Sequence, residues 1–462
     1  MEFNAYSLLV DFCIVSGLLF IAQILRGKIK FFQDTFVPSS VIAGFLGLFL
    51  GPQFSNILPF SKECSSYPYL LICVLFAGLF IGKKEKISIK KVINNVGDTF
   101  CVNMGAEFLG FATACLFGGI ILSVLFKGTV FNEIALLQPA GFTGGHGYAA
   151  AIGGTLNNML GRNDCVYIGQ TFATIGLLVG IFGGLILINF ATRKGATRFI
   201  TSVDKLPESV RTGIIPAEEQ KILGLETIHS MTMDPLAFHI TLILLATGLG
   251  YGAYHFYKSF PQFANIEVPM MCLTMLAGVL IQFIINKLGY GKCVDKRIID
   301  RIGSCVTDYL VVFGIATIQI SVVKNFWIPI LIMSIIGIVW AVFMVFFIGK
   351  KLFHNFWFER SIFIFGYITG VVAIGVTLLR IVDPDMKSKT LDDFGTAYTL
   401  QSIIEVFLVM FAPILVVSIG NILTGILLSI IGISLLLFSR WKYGYYNGKM
   451  SDLRKGEKEI IG

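Results

Sequence analysis

Charged residues are scarce in this chain, at 14% of 462 positions, where a soluble domain carries roughly a quarter. That shortage excludes an ordinary globular protein. The nine cysteines show no CxxC and no Cys/His ligand spacing, which excludes a disulfide framework or a zinc site. Most of them (Cys13, Cys73, Cys101, Cys115, Cys272, Cys305) fall inside apolar runs and read as small hydrophobes. Histidine is rarer still, with five copies, and no HExxH or GxSG occurs. The usual signatures of an intramembrane enzyme are therefore missing. The lead Met1-Glu2-Phe3-Asn4 has no basic region and no small-residue cleavage site, so the first apolar run reads as a retained anchor. The formal charge of +8 comes with nothing resembling a nucleic-acid module.

What is there is hydrocarbon. Apolar residues make up 55% of the chain, and mean hydropathy is +0.80. A spanning helix needs about 20 mostly apolar residues. Runs of that kind cover 6–25, 36–50, 67–81, 98–126 and 165–190, with a semi-apolar, glycine-rich stretch at 131–156. The second half repeats the rhythm at 235–256, 268–285, 302–322 and 327–347, then a semi-apolar stretch at 356–379 and a long run at 403–438. That last run predicts a tilted or broken helix, or two short ones.

Basic residues concentrate in the loops at 26–35 and 82–91, in the polar stretch after Arg193, around Lys292–Arg301 and at Lys350, Lys351 and Arg360. By the positive-inside rule these share the cytoplasmic side. The assignment is self-consistent only if both glycine-bearing segments enter and leave by one face, the first from outside and the second from inside. The basic tail (Arg440 to Lys458) then falls outside if the last run crosses once, and inside if it crosses twice. The predicted organisation is a five-helix repeat over 1–192 with a re-entrant hairpin at 131–160, and a linker at 193–234. An inverted repeat over 235–440, with a hairpin at 356–383, precedes a polar tail at 441–462. Val37-Pro38 before Gly47 and Glu267-Val268-Pro269 before Gly278 stand at matching places in the two halves.

The densest chemical signal is Gly141-Phe142-Thr143-Gly144-Gly145-His146-Gly147-Tyr148. Glycines at this density break a helix at membrane depth, where irregular backbone survives only if buried in protein or lining a wet cavity. A break frees N–H groups that can hold a carboxylate. It also frees carbonyls that can coordinate a cation. A flexible outer loop, or close helix packing through glycine, is the blander reading. His146 fits a structural hydrogen bond better than a proton carrier. In the second half, Thr369-Gly370 lies on Thr143-Gly144, and Arg380 follows as an anion partner or a snorkelling end anchor. Ionisable groups inside runs are functional candidates: Glu107, with Asn103 one turn earlier, and Asp308. Asp11 and Glu405 lie nearer the ends of their runs, where water reaches. Gln170, Thr171 and Thr174 share one helix face, and Ser418 and Asn421 fall in the last run. As a set these offer oxygens for a sodium ion.

These features resemble the bacterial sodium/glutamate symporter family. Carrying the resemblance are Val37-Pro38, Thr143-Gly144-Gly145-His146-Gly147, Ala173-Thr174-Ile175-Gly176-Leu177 with Gly180, Glu267-Val268-Pro269 with Gly278, and Asn421. The resemblance implies an all-α membrane protein of about ten spans plus two re-entrant hairpins, an inverted repeat and elevator-type motion. It also implies a homodimer in the bacterial inner membrane, glutamate uptake coupled to sodium, and no cofactor. Thr143, Gly144, Gly145 and His146 would belong to the first tip, Thr369 and Gly370 to the second. The second segment is poorer in glycine than the family pattern, and Ser418 stands where the family carries an aspartate. A carrier of another organic anion such as citrate or malate, proton coupling through Glu107, Asp308 or His146, and a channel are the alternatives.

Overall fold

The computed structural model describes residues 5–35, 37–82, 89–199, 212–220, 222, 224–260, 270–353, 355–383 and 386–444. The described residues are helical, without strands. Eight helices among them are long and apolar enough to cross a membrane. The matched Glu267-Val268-Pro269, part of the linker (200–211, 221 and 223) and the basic tail beyond 444 lie outside the described residues.

Twelve main helices follow one another among the described residues. They are α1 (Ala5–Lys28), α2 (Ser39–Leu50), α3 (Tyr67–Gly78), α4 (Ile89–Thr113, running on to Phe126), α5 (Ile134–Leu160) and α6 (Cys165–Leu178, running on to Arg193). The second six are α7 (Pro235–Lys258), α8 (Met270–Lys287), α9 (Lys296–Ala316), α10 (Trp327–Phe343, running on to Leu352), α11 (Trp357–Val382) and α12 (Thr390–Tyr443). α4, α6 and α10 each carry one π-turn, at Ala114–Gly118, Val179–Gly183 and Met344–Gly349.

Helices α1–α3 and α7–α9 pack as one layer through small residues. Gly47 of α2 abuts Ala316 at the end of α9, and Gly278 of α8 abuts Ala77 at the end of α3. Without side chains in the way, these backbones approach closely, the commonest device of helix packing in membranes. α4–α6 and α10–α12 form the second group, where Gly118 meets Met333 and Gly337 meets Gln138. Asp11, expected in a wet position, is buried. It accepts the Ser61 backbone N–H (3.0 Å) and the Ser61 and Tyr67 hydroxyls (2.5 and 3.0 Å).

Besides a kink at Val96 near the start of α4, three helices of the second group break. α5 departs from helical geometry at Gly145 (φ 58°, ψ −151°), a conformation that only glycine adopts without strain. Gly141 before the break and Ala149 after it both sit against Gly169 of α6, so the chain turns back there. α11 breaks at Gly370 and Val371 (φ 64°, ψ 171°). Gly366 then lies in backbone contact with Gly375, whereas a continuous helix would hold them roughly 13 Å apart.

α12 breaks at Gly420 (φ 82°, ψ 165°). Its second part runs back along α4, with Asn421 at Gly119, Gly425 at Leu116, Leu436 at Gly105 and Tyr443 at Gly97. The long last run is thus two helices folded on each other, and residue 443 returns to the start of α4. Arg360 marks the same end. It was read as a loop charge, but it is buried and bound to Asp98 (2.8 Å) and Asp393. A buried guanidinium persists there because two carboxylates compensate its lost hydration.

Candidate functional site

The breaks of α5 and α11 face each other. A side chain added at Gly145 would run into Val371 at 2.6 Å from its Cγ1. Between them and helices α3, α9 and α12 lies a cavity of about 330 Å³, within the range of small-molecule sites. Its wall includes Thr143 through Tyr148 of α5 and Gly370 through Ala373 of α11. The helical arms that restart after each break begin at this wall, and the first N–H groups of a helix have no partner inside it. None of the described lining residues is a lysine or an arginine.

His146 is buried and seated by α6. Its Nε2 lies 3.1 Å from Thr174 Oγ1, and the Thr174 hydroxyl in turn donates to the Gln170 carbonyl (3.0 Å). The hydroxyl's single hydrogen is thereby used, so His146 Nε2 is the donor. The Gln170 amide donates to the His146 carbonyl (3.1 Å). Of the residues predicted along one face of α6, Gln170 and Thr174 thus brace the first break. Thr171 returns its hydroxyl to the Tyr167 carbonyl of its own helix (2.7 Å). Thr369 does the same to Phe365 (2.7 Å), while its own carbonyl packs on Gly176.

The floor of the cavity is acidic, which the sequence reading did not anticipate. Glu405, expected at a wet helix end, is buried and lines the wall. α12 begins at Thr390, well before the apolar run at 403, so residue 405 lies four turns inside the helix. Its Oε2 accepts the Tyr148 hydroxyl (2.9 Å), and its Oε1 accepts the Tyr367 hydroxyl (2.6 Å) and the Gln401 amide (2.7 Å). Tyr367 also lies 3.0 Å from Glu107 Oε2 and accepts from Gln401 Nε2 (2.8 Å). Glu107, a predicted candidate, therefore joins the wall through Tyr367. The one available signal was the i, i+4 pair Gln401 and Glu405 ahead of a strongly apolar stretch.

Other candidates lie elsewhere. Arg380 is exposed at the end of α11, ten residues past its break and so roughly 15 Å along a helix. Asp308 is exposed, although its neighbour Thr307 lines the cavity; one residue turns the helix face by roughly 100°. Ser418 is exposed just before the Gly420 break. Asn421 is buried beside Gly119 and donates to the Asn132 carbonyl (2.6 Å), away from the cavity.

A many-span helical chain with a largely apolar cavity between broken helices, carrying one buried acid in its wall, belongs to the class of membrane transport proteins rather than to enzymes. Residues 1–378 match the sodium/glutamate symporter family, and the chain belongs to that family. It is a transporter. No curated protein matches the chain.

Proposed function

We propose that the protein imports glutamate or a similar small carboxylate by symport with sodium ions, binding its substrate in the cavity between the two tips. The observation that carries this reading is the meeting of Gly145 and Val371 at one 330 Å³ cavity. There, two helix starts present N–H groups to a carboxylate without a lysine or arginine beside it. Thr143, Gly144, Gly145, His146 and Gly147 form the first tip, and Gly370 with Val371 the second, Thr369 supporting it from behind. Glu405 on the wall suits a substrate that also bears an ammonium group, which favours an amino acid over a hydroxycarboxylate such as citrate or malate. Sodium would draw on neutral oxygens around the tips, with Gln170 and Thr174 the nearest of the predicted set.

In this reading α5 and α11 are re-entrant hairpins from opposite faces. α5 starts beside Asn421 and Gly119, at one end of α4, while α11 starts at Arg360 and Asp98, at the other. Residues 1–192 and 235–440 are inverted repeats, supported by the paired contacts Gly47–Ala316 and Gly278–Ala77. The layer of α1–α3 and α7–α9 would be the fixed scaffold, and the remaining helices the moving elevator unit. A homodimer in a bacterial inner membrane, with ten spans in all, follows from likeness to the family.

The deciding experiment is uptake of labelled glutamate into proteoliposomes. Accumulation driven by an inward sodium gradient is expected. Indifference to sodium, or equal uptake of citrate and malate, would overturn the reading.

A further inference from the structure

We propose that Glu107 and Glu405 are a proton-binding site in the cavity wall, sharing one proton that is carried on Glu107 and bonded through the Tyr367 hydroxyl. The inference rests on reading this cavity as the transport site.

It follows from counting hydrogens. A phenol has one hydrogen to give and two lone pairs to receive with. Tyr367 has three polar neighbours within 3.0 Å: the Gln401 amide and one oxygen of each glutamate. Gln401 Nε2 donates, which fills one lone pair. Turning its amide over would set an oxygen against both Tyr367 and Glu405. The phenol hydrogen can satisfy one carboxylate only. The other must bring its own hydrogen, or two lone pairs face each other in a buried site.

The choice between the two acids is also geometric. Glu405 receives the Tyr148 and Tyr367 hydroxyls and the Gln401 amide over its two oxygens, with the Tyr398 hydroxyl a further hydrogen-bond partner, and is built as a carboxylate. Glu107 Oε1 has no partner among the described residues, and the only donor its Oε2 meets is the Tyr367 hydroxyl, with the Glu405 carboxyl in side-chain contact beside it. Both acids are at most 2% exposed. Two bare carboxylates so placed would face mutual repulsion on top of lost hydration, the situation in which paired acids share one proton.

The other groups around the pair do not change this count. α5 contributes Tyr148 and His146, the latter bonded to Thr174. α12 contributes Tyr398, and α10 contributes the Trp340 indole, which donates to the Ala106 carbonyl (3.0 Å). The nearest buried cation, Arg360, is bound to Asp98 and Asp393 more than two turns along α4; Lys442 stacks on Phe438 and Tyr443 at that same end.

The position gives the proton a role. Tyr148 stands three residues after the Gly145 break, and Tyr367 three residues before Gly370. Both tips are thus tied to Glu405, and an outward swing of the second tip would pull Tyr367 from the bridge and release or recruit the proton.

Infrared difference spectroscopy on the purified protein near neutral pH tests the site directly. The wild type should show a protonated-carboxyl C=O band that shifts in D₂O, and Glu107→Gln should remove it. Glu359, a second buried acid with an unpartnered oxygen, is common to both samples and cancels. Tyr367→Phe should move the band to higher frequency as the acid loses its acceptor, which keeps the test decisive if Glu107→Gln does not fold. Absence of the band in the wild type, its persistence in Glu107→Gln, or an unmoved band in Tyr367→Phe overturns the proposal. Sodium-driven glutamate uptake on the same preparation reads the transport assignment separately: a band without uptake refutes that assignment and leaves the proton pair standing.

Discussion

The two tips solve one geometric problem with different residues. The first turns at Gly145, where a positive φ carries no side-chain penalty. The second turns at Val371, a β-branched residue at φ 64° and ψ 171°, in a region that costs a residue with a Cβ about 1–3 kcal/mol. The first tip is also braced from behind, through His146 on Thr174 and Gln170 on the His146 carbonyl. Among the described residues the second has no side-chain hydrogen bond at its turn; Thr369 packs behind it on Gly176 and Gly180, and its nearest polar tether is the Tyr367 hydroxyl. A relaxed, braced tip faces a strained one tethered through a protonatable pair. The strained one is the better candidate for the gate.

Exchanging the properties of the tips should break this contrast. The largest effect is expected from Gly145→Val, which brings a β-branched side chain into strained backbone space and into Val371. Glutamate uptake should fall by at least about a hundredfold, an effect of roughly 3 kcal/mol or more, while membrane insertion, followed by fractionation, stays intact. Normal uptake would mean the substrate does not pass this turn.

Removing one hydroxyl from each tether comes next. Tyr148→Phe deletes one hydrogen bond, whereas Tyr367→Phe deletes contacts to three partners. Leaving buried polar groups unpaired costs roughly 1–3 kcal/mol each. Tyr367→Phe should therefore lower the thermal unfolding midpoint more than Tyr148→Phe, and equal shifts would remove the asymmetry proposed for the tips. Val371→Gly should have a smaller effect of unusual sign. Valine-to-glycine changes in helices cost backbone entropy, but here the relief of strain offsets it. Val371→Gly should be more stable than Val372→Gly by on the order of 1 kcal/mol.

The smallest effect on uptake is expected at a cap remote from both tips. Asp295 accepts the backbone N–H groups of Arg297 (3.0 Å) and Leu225 (2.8 Å) and pairs with the Arg297 guanidinium. Burial pushes its carboxyl up, but these donors prevail and hold it down at about 2. Because that lies below the ordinary value of about 3.9, its stabilisation is complete above the ordinary value and is lost as pH falls through about 2. Asp295→Ala should lower the unfolding midpoint near neutral pH, as loss of a cap of about 1 kcal/mol would. The difference from wild type should fade in acid, and uptake should barely change.

The helical membrane class was legible because apolar runs of spanning length admit few other structures. The first break was equally legible, since so many glycines between residues 141 and 147 cannot continue a buried helix undisturbed. The second break was less legible: the sequence matches Thr369-Gly370 to Thr143-Gly144, and the residue with positive φ is the following Val371. Glu405 was misread because its depth was judged from the apolar run around it, and α12 starts thirteen residues before that run. Asp11 and Arg360 were misread for a related reason: a charge near the end of an apolar stretch looks wet until the partner that buries it is known.

The sequence by itself determined that the chain lies in the bilayer, that it is interrupted near residues 145 and 370, and, through residues 1–378, its family. Those properties depend on local composition and on the backbone's need to satisfy its own hydrogen bonds in hydrocarbon. The tertiary structure decided that the two breaks meet, that the last apolar run folds back at Gly420, and that Glu107 and Glu405 share one tyrosine across 298 residues of sequence. Such pairings are set by which helix packs on which, and a single helix's pattern of apolar and polar positions records only that it has a buried face, not what lies against it.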